Sequence, residues 1–135
     1  MALQYSVLVN NGRLDAVETV IGVSAVLKIR SGAPPASCAT ADSGTVLATL
    51  SLPSDWMSAA ASGVKAKLGT WQDTSADAAG TAAHFRIYDT TGTTAGIQGT
   101  VTASGGGGDL QVDNVVFALA QSFTITAFSL TAANT

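Results

Sequence analysis

Few residues in this chain have side chains suited to chemistry, and their spacing limits what that chemistry would be. His84 is the only histidine and Cys38 the only cysteine. Serine and aspartate are plentiful, so a Ser-His-Asp triad can be assembled on paper, but a triad is a spatial arrangement that chain order does not set. Alternation puts His84 on the outer face of a strand beside Arg86 and Tyr88, where it reads as a surface histidine. Zinc needs three or four His, Cys or carboxylate ligands at short spacings, which one histidine and one cysteine do not supply. Asp109 and Asp113 bracket a turn beside the glycine run 105–108, a setting that would admit calcium. They lack the D-x-D-x-D-G…E loop and read instead as turn residues making local Asx hydrogen bonds. The glycine run is followed neither by Gly-Lys-Ser/Thr nor by a helix, so it is not a phosphate cradle. Glycoside hydrolysis needs two carboxylates facing each other across a cleft, and nothing in the sequence points to such a pair. Trp56, Trp71 and Tyr88 suit a sugar-stacking platform or, in a chain with 6 % aromatics, core anchors. The expectation is a protein with no catalytic residues, no metal and no cofactor.

The elements that would carry these residues are mostly short strands. In Ala25–Pro53, Leu27 and Ile29 alternate with Lys28 and Arg30. Val46, Ala48, Leu50 and Leu52 then alternate with Thr45, Leu47, Thr49 and Ser51, the period of half-buried strands. The connection Ser31–Gly44 contains Pro34 and Pro35, is too long for a tight hairpin, and suits a crossover between sheets or a loop reaching a neighbour. Before it, residues 1–9 place Leu3, Tyr5, Val7 and Val9 on one side of an extended arm. A helix follows, with Leu14, Val17 and Ile21 on one face, Asn10 or Asn11 as N-cap, Gly22 as stop, and Asp15 and Glu18 early in it. Its expected length is three turns at most. A second short helix is expected from Ser54 to Gly63, plugged onto the sheet by Trp56 or Met57. From Val64 the pattern is strand and turn to the end, with Phe85 and Ile87 buried in one strand and Ile97 and Val101 in the next. Phe123 and Ile125 have one parity and Phe128 and Leu130 the other, which predicts a β-bulge near Thr126-Ala127. The fold expected is an all-β, jelly-roll-like β-sandwich of about eight strands. Residues 1–22 form its arm and helix, and residues 23–135 the sandwich, in one structural unit.

Composition narrows the partners. The chain has 135 residues, 47 % of them hydrophobic and only 11 % charged, with a mean hydropathy of +0.35. Ordinary globular chains carry roughly 25 % charged residues. No apolar run approaches the ~20 residues of a membrane span. So bland a surface is expected to be partly covered in an assembly. The six basic residues are scattered, so nucleic acid is not an expected partner. The net charge of −3 falls in the last third, on Asp89, Asp109 and Asp113. The segment "MALQYSVLV" has no basic n-region and no long apolar h-region, and is not expected to direct secretion.

Four stretches resemble a family of small structural proteins encoded by tailed bacteriophages. They are "NNGRLDAVETVIG", "LKIRSGAPPASCATADSGTVLATLSLPSDWM", "GTWQDTSADAAGTAAHFRIYDTTGT" and "IQGTVTASGGGGDLQVDN". The similarity spans most of the chain. Proteins that look like this include capsid cement, or decoration, proteins: small β-sandwiches that dimerise and sit on the outer shell across contacts between major capsid subunits. The resemblance implies no catalytic residue. It implies a homo-oligomer, a dimer first, bound to the major capsid protein on the virion surface and synthesised in the bacterial host cytoplasm. Leu3, Tyr5, Val7 and Val9 of the arm, Pro34 and Pro35 of the long loop, and Asp109 are the candidate partner contacts. A head-fibre base, a tail component, an adhesin or a carbohydrate-binding module is the alternative, since the same architecture serves each.

Overall fold

The computed structural model describes residues 3–132. It is mostly β-sheet, with one helix ahead of it. Helix α1 runs Val7–Ile21, and its N-cap is Ser6, whose hydroxyl accepts the Val9 amide at 3.2 Å. The helix therefore begins earlier than Asn10 or Asn11 and has 15 residues, about four turns. Leu3, Tyr5, Val7 and Val9 do not form an extended stripe: Val7 and Val9 lie in the first helical turn. Four alternating apolar residues are too short a window to separate the two periods, and a serine cap decided it. Gly22, at φ +96°, ends the helix as expected.

The strands are β1 (Val26–Arg30), β2 (Val46–Ser51), β3 (Val64–Ala66), β4 (Gln72–Asp73), β5 (Gly80–Thr81), β6 (His84–Tyr88), β7 (Ala95–Ala103), β8 (Leu110–Val112), β9 (Val116–Phe117) and β10 (Phe123–Thr131). Eight of them form one mixed sheet in the order β2-β1-β6-β7-β8-β10-β3, with β4 also paired to β10; β5 and β9 form a separate pair. Only β7 and β8 are parallel. Because β1 and β2 are antiparallel neighbours, Ser31–Gly44 is the loop of a wide hairpin and not a crossover between sheets. The register of β10 shifts between Ile125 and Ala127, so the predicted bulge is present. It turns Phe123, Ile125 and Phe128 all into the core.

No second helix forms between Ser54 and Gly63. Ala61 and Val64 exchange both backbone hydrogen bonds at 2.9 Å, across Ser62 at φ +52° and Gly63 at φ +75°. That is the geometry of a two-residue hairpin turn, and Ser62-Gly63 supplies the left-handed backbone it requires. Trp56 and Met57 are nonetheless buried, as their apolarity demands.

The sheet curls until its ends meet. Phe85 of β6 and Phe128 of β10 are three strand spacings apart along the sheet, about 14 Å if it were flat. Their rings pack edge to face at 5.6 Å. The far edge of β2 is met by the segment after β4, where the Asp77 amide donates to the Leu47 carbonyl at 2.8 Å. The enclosed core centres on Trp56, Trp71, Phe85 and Phe128, with Trp71 and Phe128 5.5 Å apart. Truncating Phe128 to alanine removes the ring that packs β10 onto β6 across the curl. Phe128→Ala is expected to cost about 3–5 kcal/mol of stability, read from urea unfolding; a loss under about 1 kcal/mol would show that closure does not depend on it.

Candidate interaction surface

Alternation along β1 and β6 turns Leu27, Ile29, Phe85 and Ile87 inward and leaves Arg30, His84, Arg86 and Tyr88 on the opposite face. That second face is not open to water. The loop Ser31–Gly44 folds back over it, so that all five residues of β6 are buried, Phe85 and Ile87 in the core and His84, Arg86 and Tyr88 beneath the loop. Asp42, on the loop, accepts from Arg30 Nη2 at 2.8 Å, Arg86 Nη1 at 2.7 Å and the Tyr88 hydroxyl at 2.7 Å. Arg86 also donates to the Ser37 carbonyl and to Gln98, and Gln98 donates to the Pro35 carbonyl at 2.7 Å. The loop neck is pinched at Gly44, φ +73°, where a Cβ would collide with the Ser31 carbonyl.

His84 is thus fully buried, not a surface residue. Its Nδ1 lies 2.7 Å from the Gly32 carbonyl, an acceptor, so Nδ1 carries the proton. Parity located its face correctly; the loop covering that face is a tertiary event with no local signal. Trp56, Trp71 and Tyr88 are buried as well, so they offer no sugar platform.

Helix α1 docks through polar groups. Asn11 accepts the Gly63 amide, Asp15 the Ala60 amide, and Glu18 the Met57 amide, at 2.9, 2.9 and 3.1 Å. The buried Lys65 ammonium is held by Asp15 at 2.8 Å, Glu18 at 2.9 Å and the Ser58 carbonyl at 2.9 Å. Asp15 and Glu18 therefore lie past the first turn, and grip the 57–65 hairpin instead of serving the helix dipole. The hydrogen bond from Lys65 holds Asp15 below the usual carboxylate range. Burial pushes Lys65 down, but its two carboxylates outweigh that and hold it above the ordinary lysine value. An open cleft of about 600 Å³ lies between this end of the helix and residues 54–59.

The candidate contacts are not gathered at one place. Leu3, Tyr5, Val7 and Val9 are exposed at the start of the helix. Pro34 is exposed on the loop, and Pro35 is half-buried with its carbonyl engaged. Asp109 lies beyond the loop, and its Oδ2 accepts from the Thr100 amide and hydroxyl at 2.9 and 3.0 Å. Asp113 accepts the Thr124 amide at 3.2 Å. Both aspartates stitch separate strands together, in place of the local Asx turns expected. Among the described residues no three His, Cys, Asp or Glu side chains are grouped to hold a metal, and no helix is long and apolar enough to cross a membrane. Most of the large apolar side chains left in water fall between positions 3 and 23, including Leu8 at 81 % and Val20 at 84 % exposure. Leu8, Val20 and Val23 escaped the sequence reading; once the helix begins at Ser6, its 3.6-residue period places Leu8 and Val20 on the outer face.

Comparison with known protein families, with characterised proteins and with solved structures finds no match for this chain.

Burial pushes the Asp42 carboxyl up, but the Tyr88 hydroxyl and the two guanidinium groups outweigh it and hold it below its ordinary value. A carboxyl depressed by folding adds stability at neutral pH, and that stability is lost as pH falls from the ordinary carboxylate range through the lower folded value. Asp42→Asn is expected to flatten this acid-dependent fall in melting temperature. It should also speed thiol labelling of Cys38, half-buried in the same loop, severalfold at pH 7.5. Unchanged labelling would mean that the loop is held without the carboxylate.

Proposed function

We propose that this protein is a virion structural protein, a capsid cement of a tailed bacteriophage. It binds the outer surface of the head and stabilises contacts between major capsid subunits. The observation that carries the reading is the concentration of exposed apolar side chains on residues 3–23 of a chain with 11 % charged residues. A surface of that kind is suited to burial against protein. The resemblance to phage structural proteins supplies the identity of the assembly, and the curled sheet is read as the jelly-roll-like sandwich of such proteins. Each copy adds buried area across a subunit contact, at ~25 cal/mol per Å² of apolar surface before binding costs. Repetition over the shell adds avidity where a copy spans two sites. Leu3, Tyr5, Val7 and Leu8 at the chain's beginning, with Pro34 on the loop, are the shell-facing candidates.

Purified protein mixed with empty shells lacking it is expected to co-sediment saturably, in high copy number, and to raise the temperature at which shells rupture. Absence of binding at any concentration would overturn the cement role and move the weight to a tail or fibre part, present in few copies. Deleting residues 1–5 keeps the Ser6 cap, so the fold should survive while retention on shells weakens. Full decoration by the truncated chain would remove that segment from the contact.

A further inference from the structure

Strand β8 is too short for the place it fills. It separates β7 from β10, which have nine residues each, but has three of its own. It pairs with β7 only at residues 101–103 and with β10 only at residues 125–128. Leu110 lies opposite Val101 on one side and Phe128 on the other, so Gln98 and Thr131 face each other three residues further along. Between them the sheet lacks a strand among the described residues. Two strand spacings, about 10 Å, is the width that one extended chain fills between two neighbours. A cavity of about 360 Å³ lies in this gap.

Both rims of the gap carry unpaired main chain. On β7 the Val101 amide donates to the Ala83 carbonyl, on the β6 side, while the Thr100 amide points the other way, to Asp109 Oδ2. Peptide groups alternate along a strand, so the N–H and C=O of Gln98 turn into the gap. On β10 the Phe128 carbonyl accepts from Lys67 and the Ala132 amide donates to Gly63, both on the β3 side. The N–H and C=O of Thr131 therefore turn into the gap as well. Neither pair of groups has a main-chain partner there among the described residues. Asp109 is what ends β8: its carboxylate takes the Thr100 amide in place of a strand carbonyl. The glycine run before it turns away, with the Gly108 amide on Thr102 Oγ1 at 3.0 Å.

The lining supplies specificity. Phe85, Ile97, Phe128 and Leu130 make it apolar, and Gly99 adds no side chain to fill it; Phe85 Cε1 stands 2.8 Å from where a Cβ of Gly99 would be. Asp109, exposed at the β8 end, is the one charged residue of the lining. The sheet's outer edges give no such opening, since β2 is met by Asp77 and β3 by residues 57–61. We propose that the gap binds an extended segment of another protein, which adds to the sheet as the missing continuation of β8. Main-chain hydrogen bonds to Gln98 and Thr131 hold the segment. An apolar side chain turns inward onto Phe85 and Phe128, and a lysine or arginine lies beside Asp109. Side chains of a strand alternate, so only every second residue of the guest enters. The site is separate from the shell contacts at the helix and does not rest on the cement reading.

The test is a titration of the full chain, followed by amide NMR, with a blocked peptide of alternating valine and threonine carrying a lysine at each end. Saturable binding is expected, with slowed hydrogen exchange at the Gln98 and Thr131 amides. N-methylating every second residue of the peptide removes the donors of one side and should weaken binding ~10-fold. Thr131→Pro should weaken it by a similar factor while leaving the melting temperature unchanged, because that amide has no native partner to lose. Asp109→Asn should abolish the preference for the lysine peptide over one ending in glutamates. Val116→Glu, on β9, should change nothing. No saturation by about 1 mM peptide, or binding indifferent to both N-methylation and Thr131→Pro, would overturn the proposal. So would Gln98 and Thr131 amides that slow with protein concentration alone, which would assign the gap to a second copy. Shell binding is scored separately. A chain that takes the peptide and ignores shells would overturn the cement reading and leave this one standing; one that decorates shells and ignores the peptide would do the reverse.

Discussion

The structure depends on how two guanidinium groups are kept out of water. Arg30 and Arg86 lie on the outer face of the central strands, 6 % and 2 % exposed, where an unpaired charge would be costly. One carboxylate, Asp42, serves both, and its own loop brings it there. That requirement explains much that surrounds it. The loop must fold back over the sheet, its neck must be tight enough to need glycine at position 44, and Gln98 and Tyr88 add hydrogen bonds to Arg86 and Asp42. A strand that alternation marks as half-buried becomes buried on both faces. The inner face is apolar packing; the outer face is a polar network in which most groups are paired, while Arg30 Nε and His84 Nε2 are buried without a hydrogen-bond partner.

The same logic recurs where the helix meets the sheet. Lys65 is buried beside Asp15 and Glu18, and the three form a second charged group sealed by backbone carbonyl and amide partners. Asn11, Asp15 and Glu18 follow at spacings of four and three, so the docking side of α1 is partly polar while much of its outer side is apolar. Leu14 is buried and Ile21 packs against the core, so the polar grip supplements the usual apolar docking face. These polar contacts hold the helix in place while Leu8 and Val20 stay exposed on its outer side.

The strand positions were legible because their residues obey local rules. β1, β2 and β6 show plain alternation, and the change of parity in β10 forecast the bulge that brings Phe128 inward. Gly22 marked the end of the helix for the same local reason. The beginning was not legible. Leu3, Tyr5, Val7 and Val9 satisfy the two-residue period by coincidence, and Asn10 and Asn11 imitate caps in the middle of a helix. Gly63 reads locally as a helix stop, yet with Ser62 it forms the turn of a hairpin. The candidate site was less legible still. The arginine partners of Asp42, the carboxylate partners of Lys65 and the carbonyl partner of His84 lie 12 to 52 residues away in the chain. Such pairs are chosen by the closed sheet, not by neighbours in sequence.

Gly63 joins distant parts of the chain. Its amide donates to Asn11 of the helix, and its carbonyl accepts the amide of Ala132, just past the final strand. β10 meanwhile pairs with β3, β4 and β8. The sheet therefore cannot be completed until synthesis has passed residue 131, and the helix has no finished surface to lie on before then. Folding waits on the ribosome. An emerging chain therefore cannot present the same ordered apolar face as a completed one.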